Sequence, residues 1–278
     1  MIQHRIDYSI ALLQKAEPMA LAYHSDGIHL AFSGGKDSQV LYEMAKMAGV
    51  RFKAHMQLTS VDPPELLKFI REHYPDVELH RPTMNIYDMI VKKRCLPTRQ
   101  CRYCCSLLKE QAGAGTVTAI GIRADESAKR AKRSEVEIFG KKGASEIIDQ
   151  WNNNREANLV CINGKDKIII APIFKWTHSD VWKFIRRNNL PYCNLYDKGF
   201  TRIGCIFCPM ASVRTKQRER LMYPKVEKAY KRAIGKLVAD RKQYNRLDFD
   251  PDEIFEWWIS NKSINEYLAN KRQLKLDL

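Results

Sequence analysis

The chain has 278 residues, 45% of them hydrophobic and 28% charged, with five Trp and eight Cys. That is enough apolar material for a packed core and too much for a disordered chain. No run nears eighteen apolar residues and the N-terminus carries an acid at Asp7, so neither a membrane span nor a signal peptide is expected. The net charge of +15 favours polyanionic partners, and cysteines without a leader point to a reducing, cytoplasmic setting with thiolates free for metal or chemistry.

Ile2, Ile6, Ile10 and Leu13 share one helical face, which predicts a helix over residues 2–16 ended by Pro18. Ile28–Phe32 is an apolar run of strand length, and Val40, Leu41, Met44, Ala45 and Ala48 then recur at helical spacing. Between them stands Ser33-Gly34-Gly35-Lys36-Asp37-Ser38, a tight strand-to-helix turn of the kind that holds phosphate. Glycine lets the backbone approach an anion, Ser33 and Ser38 bring hydroxyls, Lys36 brings a charge, and the helix start adds its partial positive charge. Asp37 beside a polyphosphate makes most sense as a Mg2+ ligand. The G-x-x-x-x-G-K-[ST] spacing of the Walker loop is absent. The hexamer instead resembles the pyrophosphate (PP) loop of the N-type ATP pyrophosphatases. That resemblance implies an adenine nucleotide, ATP or an adenylyl sulfate, with Lys36 and Asp37 in catalytic roles.

Residues 51–56 alternate as a second strand, and Asp62-Pro63-Pro64-Glu65 opens a helix running to about Tyr74. Strands follow at 77–80, 116–122 and 168–173. Strands alternating with helices predict a doubly wound, mostly parallel α/β sheet. Thr177-His178-Ser179-Asp180 has the form of a capping box, and Asp250-Pro251 and Ser263-Ile264-Asn265-Glu266 look like two further helix starts. Residues 212–246 carry a net +9. They predict a basic helical appendage over 211–278, after a nucleotide-binding domain over 1–210, with nucleic acid as a candidate partner.

Two cysteine clusters stand out, Cys101-Arg102-Tyr103-Cys104-Cys105 and Cys205-Ile206-Phe207-Cys208. Adjacent Cys104 and Cys105 cannot easily chelate one small ion, but both can reach a larger cubane. With Cys205 and Cys208 they lean toward a [4Fe–4S] cluster, whereas Cys101 and Cys104 with the later pair lean toward zinc. Cys95, Cys161 and Cys193 read as buried thiols, Cys161 within the core-like run 158–162.

Several separate blocks resemble the phosphoadenosine-phosphosulfate (PAPS) reductase family of the PP-loop superfamily, from about residue 25 to 212. Gly121-Ile122-Arg123-Ala124-Asp125-Glu126-Ser127-Ala128-Lys129-Arg130 resembles its G-x-R-x-x-E-S-x-x-R block. Pro172-Ile173-Phe174-Lys175-Trp176-Thr177, Asp180-Val181-Trp182 and Leu190-Pro191-Tyr192 resemble the stretches that follow, and residues 195–205 the segment leading to the second cysteine pair. Cys104-Cys105-Ser106-Leu107-Leu108-Lys109 resembles the Cys-Cys…Lys block of the cluster-bearing adenylyl-sulfate (APS) reductases. The resemblance implies an adenine nucleotide alpha hydrolase-like fold. It also implies Gly121, Arg123, Glu126, Ser127 and Arg130 at the nucleotide, the arginines on phosphate or sulfate, and Lys109 beside a cluster held by Cys104, Cys105, Cys205 and Cys208.

Two departures matter. The sulfonucleotide reductases carry a catalytic Cys in a C-terminal E-C-G-[IL]-H segment, and here the last cysteine is Cys208 and the tail reads 270–278 without one. The family's D-T-G-x-x-x-P-E segment is Leu58-Thr59-Ser60-Val61-Asp62-Pro63-Pro64-Glu65, keeping Thr59, expected at the nucleotide, and Glu65 but not the glycine. The leading expectation is therefore the branch lacking the C-terminal Cys, which includes sulfur-transfer proteins for nucleic acid such as the cluster-bearing member of the DNA phosphorothioation systems. Adenylylation of the acceptor would precede sulfur transfer, with a sulfur- or electron-donor protein as possible partner. One alternative is a PAPS or APS reductase that takes its thiol from a partner, Cys193 or Cys101. Another is a nucleotide-binding regulatory protein with structural zinc.

Overall fold

The computed structural model describes residues 2–139, 166–242 and 250–269, with residues 241 and 242 by backbone alone. In chain order the elements are α1 (Ile2–Tyr23), β1 (Ile28–Ala31), α2 (Lys36–Ala48), β2 (Phe52–Gln57), α3 (Pro64–His73), β3 (Glu78–His80), α4 (Ile86–Lys93), α5 (Tyr103–Leu108), β4 (Val117–Ile120), α6 (Ala128–Ala131), β5 (Val136–Phe139), β6 (Lys167–Ile170), α7 (His178–Arg187), α8 (Val213–Met222), α9 (Pro224–Lys242) and α10 (Pro251–Ser260). They fall into two compact units. The first takes Met1–Gln57, Pro64–His80 and Gln111–Ile203, and the second Leu58–Pro63, Arg81–Glu110 and Gly204–Leu278. The helical region expected from residue 211 is thus extended back to Gly204 and joined in its unit by two earlier stretches.

The first unit holds a six-stranded sheet in the order β3-β2-β1-β4-β6-β5. Neighbours are parallel except β5, which runs antiparallel on β6 at one edge. Ile28, Leu30, Val117, Ala119, Ile168 and Ile170, which alternate along the central strands, are wholly buried, as expected of helix-covered parallel strands, while the intervening positions include the polar His29 and Thr118. The expected alternation and parallel sheet are therefore present. The strand expected over 168–173 stops at Ile170, and β5 before it was not anticipated, being four residues at an edge.

The expectation that Pro18 ends the first helix is corrected. α1 continues to Tyr23 with Pro18 inside it. An internal proline costs about 3 kcal/mol, but Ala16 and Ala20 carry the buried face of Leu12 and Leu13 past it, and α1 packs on α2. The capping box at Thr177 is as read: Thr177 Oγ1 accepts from Asp180 N at 3.2 Å, and Thr177 N donates to Asp180 Oδ2 at 2.8 Å. Asp250 caps α10 with proline at its start, and Ser263 and Glu266 cap each other at the head of residues 264–269. The 158–162 run, Cys161 and the tail 270–278 lie outside the described residues.

The second unit has its own core. Ile86, Met89 and Ile90 of α4, Tyr230, Ile234 and Leu237 of α9 and Phe255, Trp258 and Ile259 of α10 close on Ile206 and Phe207. This packing takes up part of the basic stretch. Lys216 is wholly buried and donates to Asn261 Oδ1 at 2.6 Å, Arg220 spans Glu227 and Glu256, and Lys231 spans Glu227 and Asp252. The reading of the whole stretch as a phosphate-holding face is therefore too generous. No helix among the described residues is long and apolar enough to cross a membrane.

Candidate functional site

In the first unit, β1 leads into the loop Ser33–Ser38, and α2 starts at Lys36 with Gly35, which has no side chain to cap it, as its N-cap. A helix start without a side-chain cap directs backbone N–H groups and the dipole outward. Gly34 has φ +68°, and a Cβ there would lie 2.6 Å from Ile70 Cδ1, so the turn requires glycine on both counts. Ser38 Oγ folds back to donate to Gly35 O at 2.9 Å and lies 3.2 Å from both Ser33 N and Ser33 Oγ. The two hydroxyls thus brace the loop. Lys36 N donates to Tyr196 Oη at 2.8 Å, a partner from another part of the chain.

Asp37 holds a cation on each oxygen. Lys36 Nζ is 2.9 Å from Oδ2 and Arg123 Nε is 2.7 Å from Oδ1. Both cations are nearly buried, at 3% exposure. Arg123 Nη1 also reaches Asp125 Oδ2 at 3.3 Å and Trp176 O at 3.4 Å. The arginine read as a gripper of sulfate therefore carries a positioning duty toward Asp37, whose carboxylate, read as a Mg2+ ligand, is here the centre of an ion network. Gly121, at the end of β4, permits this. A Cβ there would come within 3.0 Å of the backbone C and O of Asp37.

The rest of the Gly121–Arg130 block is tied together by its own side chains. Glu126 Oε2 accepts from Arg123 N at 3.3 Å and pairs with Arg130, and Ser127 caps α6 by accepting from Arg130 N. Burial, then the charges of Arg202 and Arg133, lower Arg130 to about 10, so it remains cationic at neutral pH. Burial, then Lys36 and Arg123, hold the His178 imidazole below its usual value. His178 N donates to Asp125 Oδ2 at 2.8 Å. Cations thus crowd the mouth of the loop, an arrangement suited to a polyanion. Sequence reasoning assigned nothing to Arg202, Tyr196 or His178, although Tyr196 and Arg202 lie inside a block it had singled out. Thr59 belongs to the second unit, where its N and Oγ1 donate to Asp62 at 2.6 and 2.9 Å.

The second unit gathers the cysteines. Cys104 and Cys205 pack half-buried against its aromatic core, and Cys105 and Cys208 are also partly buried, while Cys101 is exposed. Arg102 Nη2 donates to Cys105 Sγ at 3.3 Å and Lys109 Nζ to Cys205 Sγ at 3.6 Å. A hydrogen bond from Cys104, then Arg102 and Lys109, holds the Cys105 thiol below its usual value, and that same bond pushes Cys104 up. Cys205 beside it holds the Lys109 ammonium above its usual value. Among the described residues no three of these sulfurs lie within 4.8 Å of one another. The cationic donors and the apolar backing suit an anionic, thiolate-held metal group, for which Cys104, Cys105, Cys205 and Cys208 would be the ligands.

The Cys205–Cys208 turn is itself held by the core. Cys208 N donates to Cys205 O at 3.1 Å, and Phe207 sits at φ +57° with its ring buried against Tyr230 and Phe255. That backbone region costs about 1–2 kcal/mol for a side-chain-bearing residue. Glu219 Oε2 accepts from Phe207 N at 2.8 Å and fixes it there. Cys193, by contrast, is 1% exposed and burial pushes its thiol up, so it is not placed to supply an attacking thiolate.

An uncharacterized protein of Methanocaldococcus jannaschii is 26% identical over 256 residues, covering 88% of this chain, which spans only 56% of that relative. Adenosine 5'-phosphosulfate reductase 2 of Bacillus subtilis is 25% identical over 217 residues, 72% of this chain and 81% of the enzyme. Among solved structures, FMN adenylyltransferase of Candida glabrata with FAD and inorganic pyrophosphate shares the fold, with a TM-score of 0.50 and 18% identity over 74% of this chain and 64% of that one. The relatives with assigned activities are enzymes. Residues 27–211 match the phosphoadenosine phosphosulfate reductase domain, and the chain belongs to that family of PP-loop, nucleotide-binding enzymes.

Proposed function

We propose that this protein binds ATP or an adenylyl sulfate at Ser33–Ser38 and acts in adenylylation and sulfur transfer, with a [4Fe–4S] cluster on Cys104, Cys105, Cys205 and Cys208. The observation that carries the reading is the glycine-capped start of α2, ringed by Lys36, Arg123, Arg130 and Arg202. Backbone N–H groups and Lys36 would take the phosphates. Arg130 and Arg202 would neutralise charge developing at the α phosphate, and Arg123 would hold Asp37 in place for Mg2+ or for Lys36. The cluster, when bound, supplies a site for sulfur or electron exchange. Arg102 and Lys109 would temper the negative charge of its ligands. Nucleic acid is the favoured acceptor, because Lys225, Lys228, Arg232 and Lys236 form an exposed stripe at helical spacing along α9.

The test is nucleotide binding, by calorimetry, together with iron and sulfide content of anaerobically purified protein. Lys36→Met and Arg130→Ala should each weaken ATP or APS binding at least tenfold with iron unchanged. Cys104→Ser and Cys205→Ser should lose the four irons with nucleotide binding kept. Nucleotide affinity indifferent to Lys36 would overturn the reading.

The likeness to an APS reductase over 81% of that enzyme's length favours a second reading, a reductase served by a partner's thiol or by exposed Cys101. Release of sulfite from APS with thioredoxin present would select it.

A further inference from the structure

Away from the nucleotide loop, one face of the sheet carries a row of imidazoles. β2 and β3 run parallel with His55 opposite Glu78 and Gln57 opposite His80. Residues two apart on a strand share a face, so Glu78 and His80 project together beside His55. Their atoms converge. His55 Nδ1 is 2.9 Å from His80 Nε2 and 3.2 Å from Glu78 Oε2, and His80 Nε2 is 3.6 Å from that same oxygen.

We propose that His55 Nδ1, His80 Nε2 and Glu78 Oε2 form a binding site for a divalent transition ion of the zinc class. A tetrahedral ion with Zn–N and Zn–O bonds of about 2.0–2.2 Å sets its ligand atoms about 3.3 Å apart. The three observed separations average about 3.2 Å, and a point about 2.1 Å from all three atoms exists roughly 1 Å off their plane. Without an ion, two ring nitrogens at 2.9 Å need a proton between them, because facing lone pairs repel.

The surroundings prepare the ligands. His29 stacks on His55 with ring centroids 4.2 Å apart and an interplanar angle of 7°, which fixes the plane of that imidazole. Lys53 Nζ lies 2.6 Å from Glu78 Oε1, the other carboxylate oxygen, and leaves Oε2 turned to the histidines. The side chains of Glu78 and His80 are 43% and 41% exposed, so an ion can enter and water can complete its shell. β3 is a three-residue edge strand, and an ion here would clasp it to β2. Ligands of this hardness suit Zn2+, Co2+ or Ni2+ and not Mg2+.

The probe is Co2+ added to anaerobically purified full-length protein, read by visible absorption, with Zn2+ and thermal unfolding as the second measurement. The expectation is one Co2+ per chain with d–d bands and no accompanying thiolate-to-cobalt charge-transfer band, and a Zn2+-dependent rise in Tm. Both should survive Cys104→Ser. His80→Asn and Glu78→Gln should each weaken binding at least tenfold and abolish the Tm rise, while leaving the Tm of the metal-free protein within a few degrees of wild type. Lys53→Met, which frees the second carboxylate oxygen, should not weaken binding. Co2+ that binds only with the thiolate band, or binds equally well to the His80 variant, overturns the proposal.

Discussion

Arg123 Nε lies 2.7 Å from Asp37 Oδ1, which ties the segment after β4 to the first turn of α2. With Lys36 on the other oxygen, the carboxylate neutralises two nearly buried cations at once. Removing it strands like charges away from water. Asp37→Ala should cost about 3–5 kcal/mol in urea unfolding, the scale for breaking a buried pair. Arg123→Lys should cost less, since a cation stays while the bonds to Asp125 and Trp176 O go. An Asp37→Ala protein as stable as wild type would show that solvent screens this network.

Gly121→Ala tests the approach of β4 to the loop. The added methyl meets backbone atoms at 3.0–3.1 Å, which cannot rotate away as a side chain can. Overpacking of this kind costs about 1–3 kcal/mol. The variant should fold, by circular dichroism, with nucleotide affinity reduced at least tenfold.

Glu219 and Lys216 make a pH prediction. Burial raises Glu219 to about 7 from an ordinary 4.5 and lowers Lys216 to about 8 from 10.5. A raised carboxyl contributes stability below pH 4.5 that is lost as pH rises through 7. A lowered ammonium contributes stability above pH 10.5 that is lost as pH falls through 8. Together they impose a minimum between about pH 7 and 8, where both are charged and buried. Glu219→Gln keeps an acceptor for Phe207 N and should gain on the order of 2–3 kcal/mol relative to wild type between about pH 5 and 8. A difference that does not change with pH would remove Glu219 as the titrating group.

The α9 stripe is tested by salt. Alanine at Lys225, Lys228, Arg232 and Lys236 should lower affinity for a single-stranded oligonucleotide and flatten the log–log salt slope by about 0.7 for each phosphate no longer neutralised. Lys216→Met should leave the slope unchanged, since its ammonium is internal.

What could be read from the sequence was what is encoded locally. The loop is six contiguous residues, and the Thr177 and Ser263 caps are written within four. Pro18 misled because the gain that outweighs it, the burial of Ala16 and Ala20, is set by a helix elsewhere in the chain. The hold of Arg123 on Asp37 was not legible, since it joins residues 86 apart in sequence. Short α4, α5 and β5 carry too few residues for a period to show, and Glu219 reads as one more charge in a basic helix until Phe207 is seen above it.

The second unit is drawn from three stretches separated along the chain, and the bond from Trp258 Nε1 to Pro97 O spans 161 residues. This sets an order in time. Cys104 and Cys105 leave the ribosome about a hundred residues before Cys205 and Cys208, a wait of roughly 5–20 s at translation rates of about 5–20 residues per second. Through that interval the core that backs the thiols cannot form, and two adjacent cysteines stand without their later partners. Any centre shared by all four thiols can close only after Cys208 has emerged, and oxidative damage during synthesis should fall first on the Cys104–Cys105 pair.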